Sequence, residues 1–173
     1  MSTATDRIWK IPRQALSLSL AEMALDGARG DEGIAFWLGV CDGADARVTH
    51  VLGVRGPHIA KGPLFLRVGV EAFNAISDFA LRANVVLLGQ VHAHPGGFID
   101  LSPTDRQYGI AFADYLSVVA PDYAQGNEMA IEDCGVHVYR VDSGYVRLAP
   151  DEVRRRVLVT NVSAELVILE THR

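Results

Sequence analysis

The run Val85-Val86-Leu87-Leu88-Gly89 is apolar at every position and stops just short of His92. A strand without alternation is covered on both faces, so its sheet needs a packed layer on each side. Gly33 to Cys41 is a second such run, closed by the turn-forming Asp42-Gly43-Ala44-Asp45, and Val48 to Val54 reads as its neighbour. Helical spacing fills the intervals. Pro12 opens a stretch in which Leu16, Leu20, Met23 and Ala24 share a face, with Gly27 and Gly30 ending it. Phe73, Ile76 and Ala80 line one side of a second helix over Val70 to Arg82. A third helix begins after Ser102, and short strands are predicted around Ser117 to Ala120, Gly135 to Val141 and Tyr145 to Leu148. Helices interleaved with strands predict an α/β protein: a single mixed central sheet flanked by helices.

A chain of 173 residues, 49% hydrophobic and 21% charged, suits one domain over 1–173 with a core of its own, residues 1–7 being expected to be flexible. A net charge of −5 argues against nucleic acid as a partner, since phosphate recognition needs clustered Lys and Arg. The basic run Arg154-Arg155-Arg156 follows Asp151 and Glu152 and reads as a solvated helix face. Cys41 and Cys134 belong to no CxxC pair and are expected to be buried, reduced thiols. The N-terminus lacks a signal-peptide pattern and no apolar run reaches the length of a membrane span, so the expectation is a cytoplasmic protein with no membrane partner.

Chemistry concentrates where the Val85 strand ends. In His92-Ala93-His94 the imidazoles are two apart on a strand and so face the same way. Pro95-Gly96-Gly97 turns the chain, and Ser102-Pro103-Thr104-Asp105 starts a helix with Ser at the cap, Pro first and Asp third. Taken alone, Ser102 and Asp105 are an N-cap and a capping-box acid. Two converging histidines need polar partners if buried, and a metal supplies one. Two imidazoles, one carboxylate and an open fourth position suit catalytic Zn2+, which points to a hydrolase. His50, His58, His137 and His172 have no ligand spacing and are left out of the site, while Trp9 and Trp37 read as core aromatics.

His92-x-His94-x7-Ser102-x2-Asp105 resembles the signature of the JAMM metallopeptidases, the active branch of the MPN domain family, with complete spacing. Glu32-Gly33-Ile34-Ala35-Phe36-Trp37-Leu38-Gly39 resembles that family's early strand, with Ala35 where glycine is common. Val119-Ala120-Pro121 and Gly135-Val136-His137-Val138-Tyr139 extend the likeness over roughly residues 30 to 142. The resemblance implies a cytidine-deaminase-like MPN/JAMM architecture and one Zn2+ per chain on His92, His94 and Asp105. Glu32 would be the catalytic base and Ser102 a donor to the oxyanion. Asp31 and Glu22 are nearby acids, and only the eight-residue likeness singles out Glu32. The implied activity is hydrolysis of the amide bond after the C-terminal glycine of a ubiquitin-like protein, in a conjugate or a precursor. Two alternatives stand beside it: a peptidase trimming a small sulfur-carrier protein, and a non-catalytic MPN-type binding scaffold. The scaffold predicts broken ligand positions, and none is broken here.

Overall fold

The elements run β1 (Ile8–Pro12), α1 (Arg13–Gly27), β2 (Ile34–Asp42), β3 (Asp45–Arg55), β4 (Ile59–Gly62), β5 (Phe65–Val68), α2 (Val70–Ala83), β6 (Val86–Ala93), α3 (Pro103–Tyr108), β7 (Leu116–Ala120), β8 (Gly135–Arg140), β9 (Gly144–Arg147), α4 (Pro150–Arg156), β10 (Val157–Thr160) and β11 (Glu165–Glu170). The computed structural model describes residues 6–126 and 128–172. Of the segment expected to be flexible, residues 1–5 lie outside the described residues. Arg7 is tied down: its Nη1 donates to Gly43 O at 3.2 Å, and its own carbonyl accepts from Arg156 Nε at 3.2 Å.

Nine strands form one mixed sheet in the order β10-β1-β3-β2-β6-β7-β8-β9, and β11 lies along the part of β3 that β1 does not reach. Alternation along β2 assigns the two faces. Ala35 and Trp37 pack in a cluster with Leu16, Leu20 and Met23 of α1 and Val153 of α4. Ile34, Phe36 and Leu38 point the other way, against Ala72 and Ile76 of α2. The sheet is therefore covered on both sides, as the unalternating runs predict. Trp37 is a core aromatic whose Nε1 donates to the buried Ser19 Oγ at 2.8 Å, and Trp9 is likewise buried.

β2 runs antiparallel to β6, and β6 runs parallel to β7. The start of β2 thus meets the ends of β6 and β7 at one end of the sheet. The hairpin of β4 and β5 is a separate two-stranded sheet, tied to this end by Glu32 N, which donates to Gly62 O at 3.0 Å. Neither this hairpin nor β10 and β11 was expected from the sequence. Among the described residues no helix is long and apolar enough to cross a membrane.

Three expectations need correction. Cys41 is exposed, because β2 leaves the covered part of the sheet over its last residues; Cys134 is buried as expected. Arg156 does not lie on a solvated face. It is buried with Val153 three residues earlier, and its guanidinium sits 5.2 Å from the centre of the Trp9 ring, whereas Arg154 and Arg155 are exposed. In the apolar run at 85–89, Val86 is 50% exposed, while Val85 and Leu87 are only half-buried, packed on the α2 side.

The pairing of β2 slips by one residue near its middle, between Leu38 and Gly39 against β3 and between Trp37 and Leu38 against β6. A Cβ at Gly39 would lie 1.8 Å from the Arg47 carbonyl oxygen, so backbone would have to move to admit one. Gly39→Ala should destabilise the fold by about 1–3 kcal/mol, read from the urea-unfolding midpoint. An unchanged midpoint would contradict the tight approach of these strands.

Candidate metal centre

The β2–β6 register builds the site. Ile34 pairs with His92, and Ala93 N donates to Gly33 O at 3.0 Å. Continued by two residues, this register sets Glu32 across from His94, with Glu32, Ile34, His92 and His94 all on the α2 face. Asp31 lies before the strand, where its N donates to Asp26 O at 3.2 Å. His94 N donates to Ala120 O at 2.9 Å, which carries the β6–β7 ladder one residue past the strand. The chain then turns through Gly96, whose φ of 58° lies in the left-handed region.

Asp105 returns through the expected cap. Ser102 Oγ accepts from Asp105 N at 3.1 Å, and Asp105 Oδ2 accepts from Ser102 N at 2.8 Å, with Pro103 in the first turn. The Ser102 hydroxyl hydrogen remains free to donate, so capping and oxyanion binding are compatible. Asp105 Oδ2 lies 3.2 Å from His94 Nε2 and 3.7 Å from His92 Nε2, and the two Nε2 atoms are 3.2 Å apart. Across a tetrahedral ion with bonds of about 2.0–2.1 Å, ligand atoms stand about 3.3–3.4 Å apart. The triangle fits one face of that tetrahedron. His94 Nδ1 is 3.1 Å from Phe98 O, and because a carbonyl only accepts, Nδ1 carries the proton and leaves Nε2 a lone pair for the centre. His92 is buried and its Nδ1 has no partner among the described residues.

Charge is distributed unevenly. Burial pushes the Glu32 carboxyl up, His94 pulls it back, Asp105 pushes it up again, and it settles at about 7. Burial also disfavours the Asp105 anion, yet hydrogen bonds to His92 and His94 hold that carboxyl well below the usual range. His94 is opposed by burial but raised by Asp105 and Glu32. Of the three candidate acids, Glu22 is bound to Arg55 at 3.0 Å and Asp31 is half-buried, while Glu32, 6% exposed, is the one set against the triad.

His92 and Asp105 open onto a cleft of about 640 Å3, walled by Phe65, Leu66 and Val68 of β5 on one side and by Tyr108 and Ile110 on the other. The remaining histidines lie apart from the triad. His50 faces Glu165, His58 faces Glu71, and His172 is exposed. His137 is fully buried and bound to Asp100 at 2.7 Å, a pair that sequence reasoning missed because its members are 37 residues apart in no known spacing.

The triad should hold one divalent ion per chain, and His94→Ala should lose it, as metal analysis will read; an ion-free wild type after reconstitution would contradict the assignment. Chelation should leave the circular-dichroism spectrum in place, because the core does not depend on the ion. Protons compete with metal for His94, whose basicity is raised, so affinity should weaken as pH falls through its titration. A pH-independent affinity would place the ion elsewhere.

No family model matches the chain. The probable metalloprotease y4jG of Sinorhizobium fredii is 28% identical over 146 residues, covering 83% of this chain and 88% of that protein. Among solved structures, a protein from Desulfitobacterium hafniense aligns at a TM-score of 0.60 and 16% identity, covering 95% of this chain and 94% of that one. A protein from Salinibacter ruber aligns at 0.57 and 18%, covering 90% and 94%. At these identities the two likenesses speak for the fold alone. A complete signature, folded so that its three ligand atoms converge, in a chain homologous to a probable metalloprotease supports its place in the JAMM/MPN family.

Proposed function

We propose that the protein is a zinc-dependent peptidase of the isopeptidase type, which hydrolyses the amide bond after the C-terminal glycine of a ubiquitin-like protein or its conjugate. The observation that carries this reading is the convergence of two imidazoles and a carboxylate at the mouth of a cleft, with the buried Glu32 set against them. Two nitrogens and one oxygen at tetrahedral separations favour zinc over the harder divalent ions, which prefer more oxygens. When bound, zinc lowers the pKa of water towards ~7 and polarises the scissile carbonyl.

The chain's own groups do the rest. Glu32 takes a proton from the attacking water and returns it to the departing amine nitrogen as the C–N bond breaks. Ser102 Oγ–H donates to the oxygen that gains charge. On the cleft wall, β5 pairs with β4 along one edge, and no strand occupies its other edge among the described residues. An extended glycine-terminated tail can add to that edge through main-chain hydrogen bonds, with its side chains against Phe65 and Leu66. The exposed free thiol of Cys41 fits a reducing, cytoplasmic setting.

Glu32→Gln should retain zinc and lose roughly 10²-fold or more in turnover, because the amide cannot accept a proton. Asp31→Asn should stay within a few-fold of wild type. Activity that survived Glu32→Gln but not Asp31→Asn would shift the base by one residue. A ubiquitin-like protein ending in Gly-Gly and carrying a C-terminal reporter should be cleaved, and a bulky final residue should stop cleavage even at saturating substrate. Equal cleavage of both would overturn the substrate reading.

A further inference from the structure

Helix α3 carries Asp105 yet buries none of its own side chains. A helix this short has little intrinsic stability, so ties outside it must fix where the ligand stands. One of these is apolar: Leu101, just before the cap, lies in a buried cluster with Tyr115, Val119 and Tyr145. The others converge on one oxygen. Asp100 Oδ1 accepts from Leu101 N at 2.8 Å, from Arg106 Nη2 at 3.0 Å and from His137 Nε2 at 2.7 Å. Arg106 belongs to α3, and its Nη1 donates to Tyr145 O of β9 at 2.8 Å.

The three donors to Asp100 differ in what they can enforce. Arg106 and Asp100 are each 40% exposed at their side chains, and water can replace much of such a pair. His137 is fully buried, so its hydrogen bond has no solvent substitute. His137 stands on β8 beside Gly135, on the same face, and a Cβ at Gly135 would lie 1.7 Å from Ile99 O. Strand β8 therefore receives the loop twice, by close backbone contact at Ile99 and by the imidazole at Asp100.

We infer that His137 is a positioning residue for the metal centre: through Asp100 it seats the segment 99–102 and helix α3, and so sets Asp105 Oδ2 and Ser102 Oγ against His92 and His94. The role of Ser102 rests on the peptidase reading; the placement of Asp105 does not. The contact ties strand β8 to a loop that ends in the signature, and it acts on the ion only through residues between.

The test compares wild type, His137→Phe, His137→Gln and Asp100→Ala as full chains. Amide hydrogen exchange is read in metal-free protein at Leu101, Asp105, Arg106 and Gly109, and Zn2+ affinity is read by competition with a chromogenic chelator. His137→Phe should speed exchange at these amides by about tenfold or more while β6 and β7 keep their protection, and should weaken Zn2+ binding by about 10–100-fold. His137→Gln, whose amide nitrogen can stand near the Nε2 position, should recover most of both. Asp100→Ala, which also releases Leu101 N and Arg106, should lose at least as much; if His137→Phe does not fold, His137→Gln standing close to wild type against this loss decides the matter. Unchanged exchange and Zn2+ affinity in Asp100→Ala, or a His137→Gln no better than a folded His137→Phe, would overturn the inference. Wild-type protein that binds Zn2+ but cleaves no Gly-Gly substrate would overturn the substrate reading and leave this one standing.

Discussion

The antiparallel register between β2 and β6, with Ile34 opposite His92, is the constraint on which the site depends. Side chains alternate along a strand, so a slip of β6 by one residue would turn both histidines into the α1 face, in the places of Val91 and Ala93 beside Trp37. The register is held by two different cores. Phe36 and Leu38 must meet α2 while Ala35 and Trp37 meet α1, and a shifted β2 would exchange these sets. Packing far from the metal thereby decides which acid, Glu32 or Asp31, stands across from His94.

The site concentrates groups that an ordinary core avoids. Two buried imidazoles, an anion and a buried carboxyl share a small volume, and each would be costly alone. Hydrogen bonds from His92, His94 and the capping box stabilise the Asp105 anion, and the Phe98 carbonyl fixes the His94 tautomer. Burial pushes Glu32 up to about 7 and so gives one carboxyl a proton affinity unlike that of its neighbour. Where two acids in one site are driven apart in this way, one is suited to bind a cation and the other to move protons.

What could be read in the sequence was local. The spacing of His92 and His94, the Ser102–Asp105 cap and the apolar face of α2 each lie within a dozen residues, and periodicity or capping chemistry defines them. Glu32 was legible only through likeness to a known segment, since alternation selects it over Asp31 only after the strand register is known. The hairpin of β4 and β5 carries weak strand signals, with Gly62 and Pro63 at its turn and the four β5 residues alternating between exposed and half-buried. Strands β10 and β11 owe their places to parallel partners more than a hundred residues away, Trp9 to Pro12 and His50 to Arg55. The Asp100–His137 pair and the buried Arg156 are likewise products of tertiary contact: helical spacing puts Arg156 on the face of Val153, but only the Trp9 ring makes a buried place for its guanidinium.

The most direct test of the account is X-ray absorption at the zinc edge on protein loaded with one equivalent of Zn2+. Two imidazole nitrogens and two oxygens, one of them from solvent, should appear in a four-coordinate shell at about 2.0–2.1 Å. A sulfur scatterer at about 2.3 Å would move the ion to a cysteine, and a shell without imidazole would show that His92 and His94 do not hold it.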